Sequence, residues 1–256
     1  MVGGITQFDL SGRIAVVTGA GRGLGRGYSH ALAQAGAHVV CVDVNADDLE
    51  QTVTEVRDAG GEASARALSV TDVAGFRRFT QDVADEHGHL DILVNNAGTE
   101  IPKDAADVTE ADFDIIIGVN LRGTYFCAQS AAAVMVKQGS GKIINIGSLG
   151  SQIGLGGATV YCCSKGGVLL FTRALAIELA KSGVQVNAIG PGYFRTQMTE
   201  PFFQDPVHNA WIAERIPIGR VGSPQDLAGT VVFLASSASD YITGQIVYVD
   251  GGWLAS

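Results

Sequence analysis

Tyr161 and Lys165 lie four residues apart in Tyr161-Cys-Cys-Ser-Lys165, and Ser148 stands thirteen positions upstream. On an α-helix, residues four apart differ by about 40° around the axis, so phenol and ammonium share a face. A nearby ammonium favours the phenolate, and lowering a tyrosine by one pH unit from its ordinary value near ~10 takes about 1.4 kcal/mol. A phenol held this way can take a proton from an alcohol or return one to a carbonyl oxygen. The Ser148 hydroxyl can donate a hydrogen bond to the same oxygen as charge develops there. Ser151 competes for that role, and a surface Tyr–Lys pair would share the spacing, so the surrounding elements must decide.

The first of these elements is at the other end of the chain. Arg13-Ile-Ala-Val-Val-Thr18 reads as a short buried strand that runs into Gly19-Ala-Gly-Arg-Gly23-Leu-Gly25-Arg-Gly27, and a helical pattern over residues 28–35 follows. Missing side chains permit a tight turn, let backbone approach a pyrophosphate, and expose N–H groups at the positive end of a helix. Gly19, Arg22, Gly23, Leu24 and Gly25 are therefore expected to bind a dinucleotide. A second apolar strand, His38-Val-Val-Cys-Val-Asp43, ends in a carboxylate about eighteen residues past Gly25. Asp43 can accept from an adenosine ribose 2′-OH and would repel a 2′-phosphate, which favours NAD over NADP. Arg22 argues for the phosphate. Capping the next helix is the competing role for Asp43, and Asn45 or Asp47 could fill it equally well.

Strand-like runs recur at residues 14–17, 38–43, 63–68, 91–94, 142–146, 184–189 and 246–249, separated by segments of helical length. The alternation predicts a single α/β domain spanning 1–256, a Rossmann-type, doubly wound parallel sheet of about seven strands. Nearly all of the runs are apolar throughout, as expected when helices cover both faces. Residues 196–216 follow the sixth strand and carry Pro201, Pro206 and Trp211. Ligands of open α/β sheets bind beyond the carboxyl ends of the strands, so this insertion predicts a small lid.

Thr18-Gly19-x-x-x-Gly23-x-Gly25, Asn95-Asn-Ala-Gly98, Asn120, Ser148, Tyr161-x-x-x-Lys165 and Pro191-Gly192 together resemble the short-chain dehydrogenase/reductase family, in order and spacing, over essentially the whole chain. The resemblance implies an oxidoreductase that interconverts a secondary alcohol and a ketone by hydride transfer with a nicotinamide cofactor. It implies catalytic roles for Asn120, Ser148, Tyr161 and Lys165, with Asn120 helping to hold a water that relays protons towards the lysine. Asn96, Ala97, Gly98, Pro191, Gly192 and Thr196 would complete the cofactor wall, Lys165 would also meet the nicotinamide ribose, and no metal is required. After the third strand the family usually places an acid against adenine; here Ser69-Val-Thr-Asp72 leaves Val70 as the expected contact. Within the family the tail, with Arg215-Ile-Pro-Ile-Gly-Arg220 and Val249-Asp-Gly-Gly-Trp253, is similar to gluconate 5-dehydrogenase and 2-deoxygluconate 3-dehydrogenase types. A sugar acid or polyol is then the expected substrate, met by Gln152, Arg195 and Trp211, with Lys103, His208 and Arg215 as further candidates. A 3-oxoacyl-carrier-protein reductase is the alternative within the fold; a non-catalytic dinucleotide sensor and a lyase or isomerase are alternatives outside the reaction. The resemblance also implies a homotetramer paired through apolar helices around 115–136 and 168–179.

A formal net charge of -9 disfavours nucleic acid as a partner, because phosphate neutralisation needs clustered Lys and Arg. Cys41, Cys127, Cys162 and Cys163 lack zinc-type spacing and are read as reduced. No apolar run approaches 18 residues, and the opening Met1-Val-Gly-Gly-Ile lacks a basic segment followed by an apolar one, so a cytoplasmic enzyme free of membrane is expected.

Overall fold

The computed structural model describes residues 6–256; the opening residues 1–5 and the side chains of Pro201 and His208 lie outside the described residues. Seven parallel strands form one sheet in the order β3-β2-β1-β4-β5-β6-β7. They are β1 (Ile14–Thr18), β2 (His38–Asp43), β3 (Glu62–Ala67), β4 (Ile92–Asn95), β5 (Gly141–Ile146), β6 (Val184–Pro191) and β7 (Ile246–Val249). Strand order reverses between β1 and β4, and the crevice beyond their carboxyl ends is where such sheets bind ligands.

Neighbouring residues along a strand point to opposite faces, and both faces are buried. Val17, Val39, Val94 and Ile144 belong to one core, with residues of α1 (Gly23–Gln34), α2 (Ala46–Asp58) and α9 (Pro224–Ala235). Val16, Val40, Leu93 and Ile143 belong to the other, with α3 (Val73–His87), α5 (Thr124–Gln138) and α6 (Thr159–Leu179). The unbroken apolar runs in the sequence follow from that double burial. At the sheet edge β3 departs from it: Glu62-Ala-Ser-Ala-Arg-Ala buries only Ala63.

Three local features differ from the sequence pattern. The first is the start of α1, which begins at Gly23, inside the glycine run, rather than at Tyr28. Glycine's low helix propensity hides this start, and packing against α9 overrides it, with Gly27 seated against Pro224. The second is a π-helical turn, Gly118–Gly123, which joins α4 (Glu110–Ile117) to α5 and buries Asn120 completely. The third is α6, which together with its 3-10 end is long and apolar enough by composition to cross a bilayer. It packs on β6 and the π turn instead, burying Val168, Thr172 and Ala176.

After β6 come α7 (Glu200–Gln204) and α8 (Pro206–Arg215), where the sequence places its lid. Phe203, Ile212 and Ile216 from this segment form a third apolar cluster with Leu149 and Trp253.

Candidate active site

A cavity of about 550 Å³ opens at the carboxyl ends of the strands, running from Asp43 and Val70 past the glycine turn to Ser148, Tyr161 and Lys165. Its construction starts at the glycine turn. A Cβ on Gly25 would overlap the Gly19 carbonyl oxygen and sit 2.5 Å from Asn96 Nδ2, so only glycine lets α1 begin this close to β1. Gly25 therefore lies behind the turn, while Gly19, Arg22, Gly23 and Leu24 line the cavity. Thr52 Oγ1 donates to the carbonyls of Ala20 and Gly21 at 3.1 Å each, and Arg26 Nη2 donates to Gly21 O at 2.6 Å. Neither residue was singled out from sequence; an arginine and a threonine on adjacent helices carry no local signature.

The N-cap residue of α1, Arg22, makes no side-chain cap, and the first turn holds no acid. The amides there are open to an anion at the positive helix end. Asp43 lines the cavity and accepts from Gly21 N and Asn45 N, both at 3.1 Å. Asn45, not Asp43, caps α2, accepting from Asp47 N and Asp48 N. Asp72 is likewise spent on a cap, at α3, and Val70 lines the cavity. A cavity with open helix amides along it and the Asp43 carboxylate in its wall fits a dinucleotide.

Asn95-Asn-Ala-Gly98 serves both wall and sheet. Asn95 Nδ2 donates to Asn145 Oδ1 at 3.0 Å, and Asn96 Nδ2 donates to Thr18 O and Gly19 O at 2.9 and 3.1 Å. Thr18 Oγ1 accepts from Asn96 N and Ala97 N, so the turn and the end of β4 are fastened together. Asn96, Ala97 and Gly98 face the cavity, as do Pro191, Gly192 and Thr196. Pro191 closes β6, and Gly192 N continues its pairing by donating to Val249 O at 2.9 Å, so this is strand end rather than a free turn.

Ser148 follows β5, and Tyr161 and Lys165 rise on the first turns of α6. All three line the cavity, with Lys165 Nζ 5.7 Å from the centre of the Tyr161 ring. Ser148 lines the cavity and Ser151 does not: Ser151 donates to Lys165 O at 2.9 Å and accepts from Ser148 N at 3.2 Å. Lys165 is 4% exposed and donates to Ile146 O at 2.8 Å. Burial pushes its ammonium down to about 8, with Glu100 pulling the other way. The expectation that Lys165 lowers the Tyr161 phenol is not met in the protein alone. Burial pushes the phenol up, Glu100 and Cys162 add to the rise, and the Ser148 hydrogen bond opposes it. Loss of solvation outweighs an ammonium that is itself destabilised and turned towards Ile146.

Asn120 does not reach the cavity wall. Its Oδ1 accepts from Thr99 N at 2.8 Å, and its Nδ2 donates to Thr99 O at 2.8 Å and Ser164 Oγ at 3.1 Å. It fixes the segment after Gly98 and the serine beside Lys165. The three substrate candidates lie elsewhere too. Arg195 is ion-paired with Glu200 at 2.8 Å, Trp211 packs edge-on against Trp253 at 5.4 Å, and Gln152 ends the short turn after Ser148. Lys103 is paired with Asp112 at 2.6 Å, and Arg215 stacks over Trp253 at 5.0 Å. Sequence reasoning missed Glu100, a carboxylate in the wall of the cavity that Tyr161 and Lys165 also line; a loop glutamate after Asn-Asn-Ala-Gly-Thr gives no signal of its own.

The family model described as "Enoyl-(Acyl carrier protein) reductase" matches residues 19–254. This chain belongs to the short-chain dehydrogenase/reductase family. Among its relatives, the 2-dehydro-3-deoxy-D-gluconate 5-dehydrogenase of Escherichia coli K12 is 42% identical, covering 98% of this chain and 99% of that one. A 3-oxoacyl-[acyl-carrier-protein] reductase of Thermotoga maritima is 38% identical over 95% and 98% of the two chains. The crystal structure of a gluconate 5-dehydrogenase from Burkholderia cenocepacia in complex with NADP and tartrate superposes with a TM-score of 0.94 at 36% identity, covering 98% of each chain. As a short-chain dehydrogenase/reductase, the protein is an NAD(P)-dependent oxidoreductase acting on CH-OH groups.

Proposed function

We propose that this protein oxidises a secondary alcohol of a sugar acid, or reduces the corresponding ketone, at the end of the cavity where Ser148, Tyr161 and Lys165 meet. The observation that carries the reaction is that convergence: three side chains from two elements, all facing one cavity whose other end suits a dinucleotide. The sugar-acid class is supported by the keto-gluconate and gluconate dehydrogenases among the relatives.

Tyr161 would exchange a proton with the substrate oxygen while Ser148 Oγ donates a hydrogen bond to it. Lys165, protonated at neutral pH with its value near 8, supplies positive charge to that corner and a donor for a nicotinamide ribose. A bound nicotinamide dinucleotide supplies the hydride acceptor or donor and, when oxidised, a further positive charge. Gly19, Arg22, Gly23 and Leu24 would hold the pyrophosphate, Asp43 the adenosine ribose, Val70 the adenine, and Asn96 to Gly98, Pro191, Gly192 and Thr196 the nicotinamide end. Asn120 would act through Thr99 and Ser164 rather than on the substrate. The segment of α7 and α8, which follows the cavity-lining residues Thr196 to Thr199, would close over the cavity as its lid.

The Asp43 carboxylate supports NAD as the preferred cofactor. NADP in the Burkholderia neighbour supports the other choice, and exposed Arg22 is the group here that could pair with its phosphate. A cytoplasmic homotetramer would cover the exposed apolar side chains Tyr125 and Val136 on α5 and Leu170 and Ile177 on α6; a monomeric mass in solution would refute that assembly. The second reading, a 3-oxoacyl reductase, rests on the Thermotoga relative. Steady-state rates with gluconate, 5-keto-D-gluconate, 2-deoxygluconate and acetoacetyl thioesters, each with both cofactors, decide between them. The proposal expects the sugar acids to lead by at least tenfold in kcat/KM, and a lead for the thioesters refutes it.

A further inference from the structure

Glu100 sits two residues past Gly98, in the wall of the same cavity as Ser148, Tyr161 and Lys165. Its place is fixed: Thr99, its neighbour, is held through both N–H and C=O by Asn120, at 2.8 Å each. A Cβ on Gly98 would lie 3.7 Å from Lys165 Nζ, which sets how near this segment runs to the catalytic pair. Among the described residues, however, the Glu100 side chain accepts no hydrogen bond and forms no ion pair, and the Lys165 ammonium donates to Ile146 O instead. An acceptor-only group, half-buried and left without a donor, is costly unless a ligand supplies one.

Building on the sugar-acid reading, we propose that Glu100 sets the substrate's orientation: it accepts a hydrogen bond from a hydroxyl vicinal to the reacting carbon and keeps the substrate's own carboxylate at the far end of the molecule. The two halves of this role follow from one charge. A carboxylate beside the reacting carbon rewards O–H donors and repels a second carboxylate placed there, so an acid whose charge adjoins the carbonyl binds poorly. A polyhydroxylated acid whose carboxylate is several carbons away meets both demands. Burial pushes the Glu100 carboxyl up while Lys165 pulls it down, so the lysine helps to keep it charged.

Two ketones of equal size and charge separate the alternatives: 5-keto-D-gluconate, with its carboxylate remote from the carbonyl, and 2-keto-D-gluconate, with the two adjacent. The wild-type enzyme is expected to prefer the 5-keto compound by at least tenfold in kcat/KM; equal rates overturn the proposal without any variant. Glu100→Gln keeps a hydrogen-bonding carbonyl and removes the charge, so it should narrow that preference about tenfold, chiefly by admitting the 2-keto acid. Glu100→Ala should raise KM for the 5-keto compound about tenfold or more, the usual scale for losing a hydrogen bond to a charged group. Unchanged preference in Glu100→Gln, with cofactor binding intact by fluorescence titration, overturns the role of Glu100 and leaves the sugar-acid reading standing. Failure of wild type to reduce either ketone overturns both.

Discussion

Lys165 is an ionised side chain taken almost wholly out of water, and its cost to the fold can be measured. Its ordinary value of 10.5 falls to about 8 in the folded protein, chiefly through burial. Below pH 8 both folded and unfolded chains hold the proton, and the full penalty of burying it is present. Between pH 8 and 10.5 the unfolded chain binds the proton more, so stability rises with pH; above 10.5 the penalty is gone. The linkage gives about 3 kcal/mol at pH 7 and about 1 kcal/mol at pH 9.5. Lys165→Met keeps the volume and removes the charge, and it also leaves Ile146 O without its donor at a cost of about 1–3 kcal/mol. That second loss does not depend on pH. Relative to wild type, the variant should therefore be about 2 kcal/mol more stable at pH 7 than at pH 9.5, read from urea unfolding at matched protein concentration. A difference between the two pH values that is zero or of opposite sign refutes the argument that Lys165 is charged at the expense of stability.

Two further outcomes follow from the cavity's construction. Gly25→Ala forces a Cβ against the Gly19 carbonyl and Asn96, so stability in urea unfolding should fall by the ~1–3 kcal/mol typical of overpacking, and dinucleotide affinity should fall with it. Gly229→Ala on α9, with nothing within 4 Å of its Cβ, is the control and should leave the melt level or slightly higher. Asp43→Asn removes the charge facing a 2′-phosphate and should improve the dissociation constant for NADP about tenfold relative to NAD, measured by fluorescence titration.

The sheet was legible because parallel strands buried on both faces are largely apolar, a mark that β1, β2 and β4 carry most clearly. β3, Glu62–Ala67, lies within one residue of the strand-like run 63–68 despite its exposed edge. The convergence of Ser148, Tyr161 and Lys165 on one cavity and the glycine turn were legible because each demands a residue type at a fixed spacing. What escaped depends on distance in space rather than along the chain. Arg26 and Thr52 fasten the glycine turn from two helices, and Glu100 lines the cavity beside Thr99, which Asn120 holds. The sign of the Tyr161 shift depends on how much water is excluded, which no spacing encodes. The chemistry of Arg195 and Trp211 suits a sugar acid, but spacing does not show that Arg195 pairs with Glu200 and Trp211 packs against Trp253.

The central claim is that the Tyr161 hydroxyl moves the proton, while other groups hold the cofactor. Tyr161→Phe deletes one oxygen from the cavity and nothing from the glycine turn or Asp43. With a substrate that wild type turns over, the account predicts a fall in kcat of at least 10²–10⁴-fold, with the dissociation constant of the dinucleotide within about threefold of wild type. A variant that binds the dinucleotide normally and keeps more than a tenth of wild-type turnover would contradict it.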